Sequence, residues 1–196
     1  TMPRFDLELF LNLVVEHKTP LLWIVPPVAL ALAKHPVIDS YDLSVVEQIT
    51  SAAAPLGADL AVRMGERINA RAVQGYGMTE LSPVSHLSAH GKSKPGSSGV
   101  TMGSTECRII DPDTLQDMPV GQDGELWIRG PQVMRGYLHD ADATQLTIDD
   151  DGWLHTGDLG YIGSSGGLYV TDRLKEMIKY NGIALAPADL EALLLT

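Results

Sequence analysis

The chain has 196 residues, 44% of them hydrophobic, enough to bury a core, so an intrinsically disordered chain is excluded. Lysine and arginine number 14 against 25 aspartates and glutamates, and the net charge of −11 repels phosphate backbones and anionic lipid, arguing against nucleic-acid or membrane-surface partners. A single cysteine, Cys107, excludes an intrachain disulfide and suits a reducing, cytoplasmic compartment, and the longest apolar stretch, residues 21–33, is too short for a membrane-spanning helix.

In chain order, Leu7, Phe10, Leu11 and Val14 recur at helical spacing. Residues 21–25 form an apolar run stopped by Pro26 and Pro27, which predicts a buried strand. Residues 28–34 predict a helix ending at His35-Pro36, because the residue before proline avoids the α region. Residues 45–51 predict a second strand and 57–69 a helix. Residues 70–74 predict a third strand, entering a turn at Gly75-Tyr-Gly77. This β-α-β rhythm predicts an α/β fold with a mostly parallel sheet flanked by helices.

After Pro83 the pattern changes. Glycine and serine cluster over residues 91–103. Short alternating strands follow: Cys107 and Ile109 face opposite to Glu106 and Arg108, and Leu126 and Ile128 opposite to Glu125, Trp127 and Arg129. Asp111-Pro112-Asp113 and residues 121–124 supply turns. These features predict antiparallel meanders or part of a barrel. Residues 161–170 predict a hairpin around 163–167. A last helix is predicted from Pro187, with Asp189 and Glu191 as early acids and Leu190, Leu193 and Leu194 as its apolar side.

Four motifs carry chemistry. Gln74-Gly-Tyr-Gly-Met-Thr-Glu80 sets a hydroxyl and a carboxylate beside two glycines that let a ligand approach the backbone. A phosphate wants such a donor and its Mg²⁺ a hard oxygen. The plainer reading is a structural Gly-Tyr-Gly turn. Gly152-Trp-Leu-His-Thr-Gly-Asp158 ends on a carboxylate whose two oxygens can accept from both ribose hydroxyls; the plainer reading is an aspartate in a turn. Asp172-Arg-Leu-Lys-Glu-Met-Ile-Lys-Tyr-Asn-Gly182 offers Arg173, whose planar fork suits a ribose oxygen or phosphate; the plainer reading is a surface ion pair with Asp172 or Glu176. Pro187-Ala-Asp-Leu-Glu191 follows.

Three other features carry less. Gly91-Lys-Ser93 lacks the glycine that a phosphate loop needs five residues upstream, where His86 stands. Gly96-Ser-Ser-Gly-Val-Thr101 has no lysine after it. His86 and His90 have i, i+4 spacing but no third ligand.

Taken in order, and with Pro3-Arg-Phe-Asp-Leu7, Val25-Pro-Pro27 and Ser51-Ala-Ala-Ala-Pro-Leu56, the motifs resemble the adenylate-forming acyl-CoA ligase (AMP-binding) family, most of all its 4-coumarate–CoA ligase-like members. The resemblance implies a luciferase-like fold. Residues 1–174 would be the C-terminal portion of the large AMP-binding N-domain, and 175–196 a hinge and the start of the small C-terminal domain. The family's Ser/Thr/Gly-rich phosphate loop and its C-terminal lysine are not found, so the expectation is a central piece of a larger enzyme, inactive alone. As an intact enzyme it would be a ligase with ATP, Mg²⁺, coenzyme A and a small carboxylic acid, 4-coumarate-like or fatty, as its ligands.

By the same resemblance, Ala53, Ala54 and Pro55 form a backbone wall for the nucleotide, joined by Gln74, Gly75 and Gly77. Tyr76 packs on adenine, Thr79 meets the α-phosphate and Glu80 supports Mg²⁺. Asp158 and Arg173 hold the ribose, Lys179 reaches the adenylate phosphate, Asn181 and Gly182 lie by coenzyme A, and Lys175 is the hinge. Gly75, Pro83, Val84 and Ser85 line the acyl pocket. Three positions depart from the family pattern: Ala52 replaces a usual glycine, Ala184 a frequent glutamine, and Ser85 a larger apolar residue of aromatic-acid ligases. An inactive nucleotide-binding module and an adenylation domain loading a carrier protein stand as alternatives, the second opposed by the Asp172–Lys179 stretch, which resembles stand-alone ligases.

Overall fold

The computed structural model describes residues 2–88, 94–176, 178–180, 183–185 and 187. Helix α1 (Leu7–Glu16) begins where the Asp6 carboxylate accepts the Leu9 N–H at 2.8 Å, and buries Leu11 and Val14. Strand β1 (Leu21–Ile24) leads into α2 (Pro26–Lys34). The two prolines open this helix instead of preceding it, since the first turn has no intrahelical use for their missing N–H groups. Strand β2 (Gln48–Ser51), helix α3 (Ala58–Ile68) and strand β3 (Arg71–Gly77) complete the βαβ rhythm. Asn69 ends α3 at φ 57°, the left-handed stop that asparagine tolerates.

The β1, β2 and β3 strands are parallel neighbours, with Leu22 opposite Ile49 and Ile49 opposite Ala72. Leu11, Leu32, Ile49 and Met64, all nearly inaccessible, bring the three helices and the sheet into one core. Each such side chain contributes about 1.5–3 kcal/mol on burial.

Two expectations need correction. Strand β1 is half buried: Leu22 and Ile24 point inward, whereas Leu21 and Trp23 are 51% and 64% exposed. It is the outermost strand of its sheet, and among the described residues only one of its faces is covered. Gly75-Tyr-Gly77 is also strand, not turn. It pairs antiparallel with β4 (Val84–Leu87), Tyr76 opposite His86 and Gly77 opposite Val84, and a Cβ on Gly77 would strike the Pro83 carbonyl. The glycine serves close strand approach. Strand β5 (Val100–Thr101) closes this five-stranded mixed sheet.

The predicted meander is a four-stranded antiparallel sheet of β6 (Glu106–Ile110), β7 (Gly124–Arg129), β8 (Leu154–Ile162) and β9 (Leu168–Arg173), in that spatial order. Leu126, Ile128, Leu154 and Leu168 form its core, joined by Tyr76 from β3 and Leu81 from the 3₁₀ turn that follows it. Leu168 also donates its N–H to Gly99 and accepts that of Ser98, both at 2.8 Å, stitching the two sheets together.

Helix α4 (Ala141–Thr147), capped by the Asp140 side chain on the Ala143 N–H, is absent from the sequence-based expectations because it buries no residue and so has no apolar period. Strands β10 (Ile178–Tyr180) and β11 (Ile183–Leu185) pair antiparallel as a two-stranded sheet. The predicted last helix lies outside the described residues except at Pro187. Among the described residues no helix is long and apolar enough to cross a membrane.

Candidate functional site

The end of β3, the loop after β2, and strands β8 and β9 converge on one cavity of about 330 Å³. Gln74 prepares one wall. Its buried amide accepts the Leu56 N–H at 3.1 Å and donates to the Leu56 carbonyl at 3.0 Å. This double bond of side chain to backbone pins a loop in which Ala53 sits at φ 76°. A left-handed alanine costs about 1–2 kcal/mol, so the loop needs such an anchor. Ala53, Ala54 and Pro55 then present themselves to the cavity, facing Gly75, Tyr76 and Gly77.

The opposite wall is built around Asp158, only 6% exposed. Its Oδ2 accepts the Tyr76 hydroxyl at 2.7 Å and its Oδ1 the Arg173 Nε–H at 3.0 Å. The pairing of β8 with β9 sets Asp158 directly opposite Arg173, so the ion pair follows from register. Burial and the Asp158 charge push the Tyr76 phenol far above its ordinary range, so it stays a neutral donor. An ionised carboxylate has about four acceptor positions, and these partners use two. Asp158 therefore keeps acceptor capacity toward the cavity. The Arg173 guanidinium is mostly exposed, and its remaining N–H groups include one nitrogen 3.8 Å from Glu176.

The structure thus gathers Ala53, Ala54, Pro55, Gly75, Tyr76, Gly77, Asp158 and Arg173 around one space. It adds Ser98, Val170, Asp172, Glu176 and Pro187, which sequence reasoning did not select. Asp172 is buried; Oδ1 accepts the Arg173 N–H at 2.7 Å, and Oδ2 has no hydrogen-bond partner among the described residues. No pattern in the sequence separates Asp172 from an ordinary ion-pair partner, because its burial depends on the packing of β9.

Other expected residues lie elsewhere. Gln74 anchors the wall without lining the cavity. Thr79 and Glu80 occupy a 3₁₀ turn (Thr79–Leu81) just past β3, outside the lining. The Glu80 Oε1 accepts the Tyr137 hydroxyl at 2.8 Å, and this bond, followed by burial, raises the Tyr137 pKa. Of the expected acyl set only Gly75 lines the cavity. Pro83 is exposed and Val84 half-buried. Ser85 is fully buried, its Oγ 3.0 Å from His86 Nδ1. His86 is equally buried against Tyr76, and burial lowers its pKa to about 4. Lys175 is exposed beside Glu176. Lys179 lies on β10, and Asn181, Gly182 and His90 lie outside the described residues.

A family model described as AMP-binding enzyme matches residues 1–138. The chain belongs to the AMP-binding enzyme family. It is 48% identical over 201 aligned residues to 4-coumarate–CoA ligase 1 of Glycine max, covering all of this chain and 69% of that relative. It is 47% identical over 201 residues to 4-coumarate–CoA ligase 1 of Petroselinum crispum, covering all of this chain and 37% of that relative. Among solved structures, an anthranilate CoA ligase in complex with anthranoyl-AMP matches 99% of the chain and 38% of its own with a TM-score of 0.91 at 24% identity, a likeness of fold. The O-succinylbenzoate coenzyme A synthetase of Bacillus subtilis, in complex with ATP and magnesium ion, matches 98% of the chain and 40% of its own with a TM-score of 0.81 at 28% identity.

Proposed function

We propose that this chain carries the adenylate site of an ATP-dependent acyl-CoA ligase acting on a small carboxylic acid, 4-coumarate-like or fatty. The observation that carries the reading is the cavity between the residue 53–55 wall, β3 and the Asp158–Arg173 pair. Its relatives are named 4-coumarate–CoA ligases. A carboxylate oxygen of the acid attacks the α-phosphorus of ATP, and the bond to pyrophosphate breaks, leaving an acyl-adenylate. The deprotonated thiol of coenzyme A then attacks the acyl carbon and AMP leaves, forming the thioester.

In this reading Asp158 accepts from the ribose hydroxyls, Arg173 donates to a ribose oxygen or phosphate, and Tyr76 offers its ring to adenine. Thr79 and Lys179 serve the phosphate, Asn181 and Gly182 lie by coenzyme A, and Pro83, Val84 and Ser85 belong with Gly75 to the acyl side. The small C-terminal domain begins at the Lys175 hinge. Mg²⁺ fits Glu80, because the Tyr137 hydroxyl occupies only one of the carboxylate's acceptor positions. Magnesium is commonly held by one or two carboxylates plus substrate phosphates, and among the described residues no group of three or more potential ligands competes for that role. The bound ion would neutralise phosphate charge.

The test uses the full-length protein and exchange of labelled pyrophosphate into ATP. Exchange that depends on an added aromatic or fatty acid, followed by AMP release on adding coenzyme A, is expected. Absence of both exchange and AMP binding by a folded protein overturns the reading.

A further inference from the structure

Asp158 does not stand on regular strand. Glu125 on β7 pairs with Leu159 on β8, and Trp127 with His155, so Thr156, Gly157 and Asp158 together face the single residue Leu126. Such a bulge re-aims side chains next to functional sites. Gly157 sits in it at φ 71°, and a Cβ there would meet nothing within 4 Å. Packing therefore does not hold this glycine, the most mobile of residues; hydrogen bonds do.

One of those bonds is made by a residue without an assigned role. Glu125 Oε1 accepts the Gly157 N–H at 3.0 Å, while Oε2 accepts the Trp127 indole N–H at 2.9 Å. The indole is itself fixed, stacked on His155 with ring centroids 3.7 Å apart and 10° between planes. The Gly157 carbonyl accepts the Leu174 N–H at 2.8 Å, tying the bulge to the residue after Arg173. Thr156 completes the frame: its hydroxyl donates to the Leu126 carbonyl at 2.8 Å and accepts the Asp158 N–H at 3.1 Å.

We infer that Glu125 is a positioning residue for the nucleotide ribose. It holds the Gly157 peptide so that Asp158 keeps its free acceptor positions toward the cavity. The inference rests on the proposed ribose role of Asp158. Without the Glu125 carboxylate, the half-buried Gly157 N–H has lost its acceptor, and the bulge can rotate toward water.

The test is calorimetric titration of the full-length protein with AMP and with 2′,3′-dideoxy-AMP, which lacks the hydroxyls. Glu125→Ala is expected to weaken AMP about tenfold, the size of one lost charge-assisted hydrogen bond, and dideoxy-AMP less than about twofold. Glu125→Gln keeps an oxygen for Gly157 and is expected to recover most of the AMP affinity. A merely structural residue would depress both ligands alike, so equal losses overturn the inference. So does a Glu125→Gln loss matching that of Glu125→Ala, or no loss for AMP in Glu125→Ala. Asp158→Ala is the control. If it treats the two ligands alike, the ribose reading itself fails and the inference falls with it; if it discriminates while Glu125→Ala does not, only the inference fails. Should Glu125→Ala not fold, Trp127→Phe removes the donor that orients the carboxylate but keeps an aromatic ring for His155. It is then expected to weaken AMP about threefold and spare dideoxy-AMP, with equal effects overturning the inference.

Discussion

Asp158 carries two partners already, and this sets what its removal does. Asp158→Ala would take away the proposed ribose acceptor, and it removes the acceptor of the Tyr76 hydroxyl, buried beside it, and the carboxylate paired with Arg173. Charge-assisted hydrogen bonds are worth about 1.5–3 kcal/mol, so nucleotide affinity is expected to fall about 10- to 150-fold. Calorimetry showing unchanged affinity would reduce Asp158 to a bulge residue. His86 gives a second prediction at this scale. Burial lowers its pKa to about 4 from an ordinary 6.5. The unfolded chain takes up that proton below about pH 6.5, and the folded chain only near pH 4. The stability this group supports is therefore complete above pH 6.5 and lost as pH falls toward 4, by about 3 kcal/mol at 1.4 kcal/mol per pH unit. Carboxylates held low by partners, such as Asp117 by Arg108, act below that window. Urea midpoints measured from pH 7 to 4.5 should slope in the wild type and flatten in His86→Asn; parallel curves would clear His86 of the effect. That Asp158 and Arg173 belong to one site was legible in their motifs, and both line the same cavity. The burial of His86 and of Asp172 was not, because a lone polar residue carries no signal of its depth.

Among elements, β3 shows how a correct motif can sit in a wrong local shape. Gly75-Tyr-Gly77 reads as a turn from its glycines, yet the chain there is extended and β4 runs close against it. Gly77→Ala would push a methyl into the Pro83 carbonyl, a backbone atom that cannot turn aside. Overpacking of this kind costs about 1–3 kcal/mol, to be measured by urea unfolding. Gly103→Ala, where the new atom meets nothing within 4 Å, is the matched control and should be near neutral. Equal midpoints for the two variants would remove the close-approach explanation. Amphipathic α1 and α3 and the alternating β7 were legible because one face of each is apolar. Helix α4 was not, since it buries no apolar side chain and leaves only its Asp140 cap as a mark.

At the scale of the whole molecule, two sheets meet where Tyr76 reaches Asp158 and where Gly99 pairs with Leu168. The cavity exists only because of that meeting. If Lys175 is the hinge of the full-length enzyme, its backbone must adopt two states, and proline would fix φ near −65° and restrict Leu174 as well. Lys175→Pro is expected to impair thioester formation more than adenylation, because Asp158 and Arg173 precede it. Half-reaction assays with nucleotide affinity measured alongside decide this, and equal loss of both steps at normal ATP binding would refute the hinge. The sequence by itself determined the family, the α/β class and most of the residues around the cavity, because short motifs of chemically distinctive residues and apolar periodicity are local properties. Only the tertiary structure decided that Gln74 braces the wall, that Glu80 is engaged by Tyr137, and that Glu125 grips Gly157. Those bonds join residues 18, 57 and 32 positions apart, and which donor meets which acceptor over such distances is set by strand register and sheet packing.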